Sequence, residues 1–100
     1  MANTFDDDGY FEKVFSVKEN IIDRNDYKKI TQPSFDISVV ESDDGLYNFY
    51  NEKEGGIISK VWFDNFVPFT KIGSDVIARG KVNNYWYTIY INGDMSYLGR

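Results

Sequence analysis

Sixteen aspartates and glutamates, with no histidine and no cysteine, bound the chemistry open to this 100-residue chain. Without cysteine there are no thiolate nucleophiles, disulfides or Cys-based zinc sites, and without histidine the commonest general base and metal ligand is missing. Asp23-Arg24-Asn25-Asp26 and Asp43-Asp44-Gly45 have the oxygen-rich composition of a calcium loop. Such a loop also needs a glycine at its sixth position and a glutamate at its twelfth. Counted from Asp23 those places hold Lys28 and Ser34, so turn formation explains these residues better. A pair of carboxylates with separated pKa values could hydrolyse a glycoside. Most of the acids, however, fall in turn-forming sequence or near the N-terminus, where carboxylates are solvated. Ser74, in Ile72-Gly73-Ser74-Asp75, lacks the nucleophile-elbow spacing and has no histidine to activate it. Gly55-Gly56 is not followed by the Lys-Ser or Lys-Thr of a phosphate-binding loop. No catalytic residue, metal or cofactor is expected, and a carbohydrate-active enzyme is the least favoured reading.

The remaining candidates are aromatic. Eight tyrosines, eight phenylalanines and two tryptophans make up 18% of the chain, and Trp62, Phe63, Phe66, Phe69, Tyr85, Trp86, Tyr87 and Tyr90 cluster in its second half. Large amphipathic rings anchor interfaces and stack on ligands, but they also fill the cores of small β proteins. A core is the simpler account of most of them. The residues assigned to partner binding are Trp86, Tyr90, Trp62 and Phe63.

Residues 75–98 must position these rings, reading as three antiparallel strands joined by tight turns. Asn83-Asn84 and Asn92-Gly93 are residue types that tolerate the positive φ of a two-residue type I′ hairpin. Between the turns, Tyr85-Trp86-Tyr87-Thr88-Ile89-Tyr90-Ile91 is almost wholly aromatic and β-branched, the set that fits a pleated surface. Tyr85, Tyr87, Ile89 and Ile91 share the more continuous apolar face and are assigned to the core; Trp86, Thr88 and Tyr90 share the other. With bulk on both faces this is a central strand, whose second face is covered either by the chain itself or by a partner.

Strand signals recur about every 8–12 residues along the rest of the chain, the pattern of an all-β protein. Tyr10 to Val17 reads as a half-buried strand with Phe11, Phe15 and Val17 inward. Lys18 to Ile30 is rich in Asn and Asp and reads as an irregular connection with at most one helical turn, and Gln32-Pro33 stops any helix. Phe35 to Glu41 and Leu46 to Tyr50 are strands around a Ser42-Asp43-Asp44-Gly45 hairpin loop. Ile57 to Ser59 and Lys60 to Phe63 are short extended pieces. Asp64 to Thr70 contains Pro68 and is a loop or a sheet edge. The expected fold is a single all-β domain, an antiparallel meander of six or seven short strands with little helix.

Tyr47 to Asn51 aligns with Tyr87 to Ile91 at a spacing of about 40 residues, and Val39-Val40 aligns loosely with Val76-Ile77. Phe-Asp occurs at Phe5-Asp6, Phe35-Asp36 and Phe63-Asp64. Gly45 to Asn51, Gly56-Ile57-Ile58-Ser59, Trp62 to Phe66 and Val76 to Gly80 follow one another in the order of a unit seen in the WG (KWG) β-repeat proteins of bacteria and their phages, which residues 35–98 resemble. Leu46 and Trp86 stand where that family has Trp-Gly. The resemblance implies hairpin units at 35–74 and 75–100 behind an N-terminal cap at 1–34, used for binding or assembly with no shared catalytic residues.

Residues 1–54 hold 13 acidic against 6 basic residues and residues 55–100 hold 3 against 5, within a formal net charge of −5. That balance disfavours nucleic-acid binding, which calls for clustered Lys and Arg. The N-terminus is acidic where a signal peptide is basic and then apolar, and no apolar run approaches the roughly 20 residues of a membrane span. The chain is expected in the cytoplasm, with no membrane partner. The leading functional expectation is a non-catalytic protein-binding or self-assembling module. The alternative is a small acidic phage-encoded inhibitor that imitates nucleic acid to block a host defence protein. A continuous stripe of acids favours that alternative; a scatter among turns removes it.

Overall fold

In the computed structural model the description covers Ile21 and residues 24–99. The strand expected at Tyr10 to Val17 and the acidic N-terminal run lie outside it. Among the described residues there is no α-helix and there are eight strands: β1 (Tyr27–Lys29), β2 (Ile37–Ser42), β3 (Tyr47–Asn51), β4 (Gly56–Ile57), β5 (Asn65–Ile72), β6 (Asp75–Val82), β7 (Tyr85–Tyr90) and β8 (Met95–Gly99). They form two antiparallel meanders of four, β1-β2-β3-β4 and β5-β6-β7-β8. The all-β reading therefore holds, with two differences in the strand set among the described residues. Lys60 to Phe63, expected as an extended piece, contributes only an isolated bridge from Phe63 to Tyr47. β1 is not expected as a strand; it pairs through Tyr27 to Ser42 and Lys29 to Val40 in a segment whose Asn and Asp content reads as turn. Tertiary pairing overrides that weak local preference.

Turn chemistry explains much of the path. Asn83 and Asn84 both take positive φ, 54° and 69°, and close the β6–β7 hairpin as the type I′ turn demands. The β7–β8 turn differs from expectation. Gly93 alone is left-handed (φ 94°); its amide donates to the Tyr90 carbonyl and the Tyr90 amide donates to Asp94. This is a three-residue loop over 91–93 ending in a left-handed glycine, which leaves Ile91 in the turn and exposed. Phe35 and Asp36 are not strand residues either. Both have positive φ (55° and 63°) and form a two-residue turn between Ser34 and Ile37, whose amides and carbonyls bond reciprocally at 2.9 Å. Pro68 lies in β5, an edge strand, where the register with β6 shifts between Val67 and Thr70; an edge or a bulge is where a proline costs no ladder bond.

The chain leaves the first sheet for the second within two residues. Phe63 exchanges both backbone bonds with Tyr47 of β3, and the Asp64 amide donates to the Lys81 carbonyl of β6. The sheet boundary thus falls between Ile57 and Asn65, whereas the expected unit boundary at residue 74/75 is the hairpin between β5 and β6. The segments aligned in sequence nevertheless fall on equivalent strands: Tyr47 to Asn51 is β3, Tyr87 begins the matching stretch of β7, and each is the third strand of its meander.

One core lies between the sheets. Ile37, Val39 and Phe49 from the first sheet meet Phe63, Phe69, Ala78, Val82, Tyr87 and Ile89. Phe49 is its centre, with Phe69 edge-on at 5.0 Å and Phe63 and Phe66 at 6.1 and 6.4 Å between ring centroids. Of the β7 face assigned to the core from its alternation, Tyr87 and Ile89 are fully buried and Tyr85 packs against the cluster half-buried, whereas Ile91 is exposed because the chain has already entered the turn there.

Candidate functional site

The two sheets differ in what covers their outer faces. On the first sheet, Tyr27, Lys29, Ser38, Val40, Ser42, Asn48 and Tyr50 share the outer face, since antiparallel partners lie on the same side. Residues 58–62 run across this face. The fully buried Asn48 holds them: its amide nitrogen donates to the carbonyls of Ser59 (2.9 Å) and Val61 (3.4 Å), and its oxygen accepts from the Ser59 amide (3.3 Å). Trp62 then closes against Tyr27 at 5.8 Å, with the Arg24 guanidinium 5.6 Å above its ring. Lys29 sits 4.7 Å over Tyr50. The chain has covered this face itself.

Arg24 is held in place by a forked pairing with Asp44 at 2.8–3.2 Å, and Ser42 also donates to Asp44. The Arg24 pairing, with the Ser42 bond second, holds the Asp44 carboxyl well below its ordinary value of 3.8. Glu52 is likewise lowered by bonds from Lys29 and Ser38. A depressed carboxyl stabilises the fold above its unfolded pKa, and this contribution is lost as the pH falls through the folded value. Stability should therefore decline from about pH 4 downward. Asp44→Asn should flatten that decline in urea titrations at successive pH values, by a modest amount because the pair is solvent-screened. An unchanged acid slope in the variant would remove Asp44 as its source.

The outer face of the second sheet has no such cover among the described residues. Cross-strand pairing builds it in rows: Val67 beside Arg79, Thr88 and Ser96; Lys81 beside Trp86 and Gly99; Ile77 beside Tyr90. Val67, Tyr90 and Leu98 are exposed at 42%, 39% and 49%. Trp86 is half-buried, with the Lys81 ammonium 6.0 Å from its ring. A shallow cleft of about 260 Å³ crosses the strands here, lined by Val67, Arg79, Trp86, Leu98 and Gly99. Trp86 and Tyr90 thus stand together on an open face, as the alternation of β7 requires.

The other two residues assigned to binding do not. Trp62 is 2% exposed and Phe63 is 0% exposed, so neither can present a surface. Both were placed by type, yet Phe63 is the residue that carries the chain from one sheet to the other and Trp62 is the lid of the first sheet. The signal missed was the pairing of Gly80 with the inner face: a glycine inside a strand marks a close approach, and Phe63 is what approaches it. Val67, Arg79 and Leu98 were not singled out in the sequence, because only the register of β5, β6 and β8 brings them beside Trp86.

Among the described residues no group of three or more acids gathers to hold a metal ion, and no helix is long and apolar enough to cross a membrane. The described acids are dispersed: Asp36, the pair Asp43-Asp44, Glu54 and Asp94 lie at four different connections of the two meanders, and Asp44 and Glu52 are engaged by Arg24 and Lys29. They form no continuous stripe. Compared with protein-family models, curated proteins and solved structures, the chain matches none of them.

Proposed function

We propose that this chain is a non-catalytic protein-binding module whose contact surface is the outer face of the second sheet, with Trp86 and Tyr90 as its anchors. The observation that carries the reading is the asymmetry between the sheets. The chain's own Trp62 and residues 58–61 close the first sheet's outer face, whereas exposed large side chains remain grouped on the second. A group of exposed large side chains of this kind marks an interaction site, and Trp and Tyr are the residues that most often dominate one. The likeness to WG-repeat hairpins, which are used for binding or assembly, points the same way. Among the described residues the acids form no stripe of the kind the nucleic-acid-mimic alternative calls for, so the binding face is the favoured reading.

The test separates stability from binding. Ile89→Ala opens a cavity in the core and should cost about 2–5 kcal/mol. Trp86→Ala removes a half-buried ring from an open face and should lower the melting temperature much less, while weakening binding by roughly 2 kcal/mol or more. Thermal unfolding of both variants, beside binding measured against partners selected on the wild-type chain, reads the two effects separately. If Trp86→Ala unfolds as readily as Ile89→Ala, the ring is part of the core and this face is not the contact surface.

A further inference from the structure

The outer face of the second sheet is apolar at its margins and cationic at its centre. Arg79 is exposed in the middle of the transverse cleft, flanked by Val67, Trp86 and Leu98. Among the described residues it has no ion-pair partner. Lys81 lies two residues along on the same face, against the Trp86 ring. Among the described residues, no carboxylate forms an ion pair with either cation. Asp75 shares the face but lies at the far end of β6, paired with Ile72, and Asp64 accepts the Asn83 amide at 3.2 Å.

Building on the proposed binding surface, we propose that its occupant is an acidic segment of a partner protein. In this arrangement a carboxylate is seated on Arg79 between Trp86 and Leu98, and aliphatic side chains flank it on Val67 and Tyr90. An arginine presents a planar fork of donors that matches a carboxylate in two parallel bonds. Trp86 and Leu98 beside it would shield the pair from water once a partner covers the face, which strengthens the pairing. The cleft, at about 260 Å³, is smaller than the 300–1,000 Å³ usual for a small-molecule site and suits individual side chains of a larger ligand.

Charge also decides against two other occupants. A second copy docked face to face about a two-fold axis would present the same patch on both sides, setting Arg79 and Lys81 against their own counterparts. A nucleic-acid strand needs a cationic track with stacking rings at successive positions. Here the face carries only two cations among the described residues, and its two rings, Trp86 and Tyr90, stand four residues apart on one strand with Thr88 between them, on a chain with a net charge of −5.

The experiment selects a random 12-residue peptide library on the full chain and measures the selected peptides by the fluorescence of Trp86 in a Trp62→Phe background. Melting temperature is monitored throughout. Selected peptides should be enriched in Asp or Glu flanked by Leu, Ile or Phe. Affinity should fall roughly tenfold or more in Arg79→Glu, by a smaller factor in Lys81→Glu, and with rising salt. Replacing the acids of the peptide by Asn and Gln should reproduce the loss on the wild-type chain.

Selected peptides without an acidic bias, or peptides that bind Arg79→Glu as tightly as wild type, would overturn the assignment of the occupant. If those peptides still lose binding to Trp86→Ala, the surface stands and only its acidic occupant falls; if neither variant matters, both readings fall together. An oligothymidylate strand that binds tighter than any selected peptide would overturn the peptide in favour of nucleic acid. Self-association that Arg79→Glu strengthens would overturn it in favour of a second copy.

Discussion

Phe63→Ala is expected to destabilise the protein by about 3–5 kcal/mol, a large share of the roughly 5–15 kcal/mol available to a domain of this size. The ring is fully buried and lies against the strand backbone at Gly80: a methyl group built on Gly80 would come within 2.4–2.7 Å of three Phe63 ring carbons. Removing the ring opens a cavity between the sheets at the point where the chain passes from one to the other. Gly80→Ala should harm the fold for the opposite reason, because the added carbon cannot fit beneath the ring and overpacking strains the core by about 1–3 kcal/mol.

The two changes are coupled. In the Phe63→Ala background the Gly80 methyl has room, so the second substitution should cost less than it does in the wild type or even recover stability. A double-mutant cycle by urea denaturation measures this coupling. Additive effects would show that the ring does not rest on Gly80, and a nearly unchanged Phe63→Ala would return Phe63 to the candidate surface residues.

The second large effect is expected at Asn48, which alternation alone marks only as one residue of a strand. Asn48→Leu keeps approximate volume and deletes the bonds to the Ser59 amide and to the Ser59 and Val61 carbonyls. Each buried backbone group left without a partner costs about 1–3 kcal/mol. With some of these groups reaching water as the segment loosens, about 2–4 kcal/mol is expected in total. Hydrogen exchange locates the loss: the amides of Ile58, Ser59 and Val61 should exchange faster in the variant by a larger factor than those of β6 and β7. The Ile58 amide is bonded to the Phe49 carbonyl at 2.8 Å, so it reports whether the whole crossing segment has lifted. A variant within about 0.5 kcal/mol of wild type, with uniform exchange, would mean that Trp62 alone seats the segment.

Local rules were enough for the strands whose neighbours in sequence are also their neighbours in space. The Asn83-Asn84 turn, the alternation of Tyr85 to Tyr90 and the confinement of Pro68 to an edge all follow from residue type, because a type I′ turn, a pleat and a missing amide are properties of a few consecutive residues. The same rules assigned Tyr87 and Ile89 to the core and put Trp86 and Tyr90 on the opposite face. They also ruled out histidine and thiol chemistry outright.

What needed the tertiary structure was everything decided by residues distant in the chain. Phe35 and Asp36 form a turn that neither residue type announces, since the pairing of β1 with β2 brings Ser34 and Ile37 together. Trp62 and Phe63, by type as fit for a surface as Trp86, are buried because Asn48, Tyr27 and Gly80 meet them from elsewhere in the sequence. Arg79 and Leu98 join Trp86 only through strand register, which depends on the summed packing of whole faces. Residue type and alternation determine which side chains share a face of a strand; which face ends up covered depends on where the rest of the chain can pack, and only the folded chain settles that.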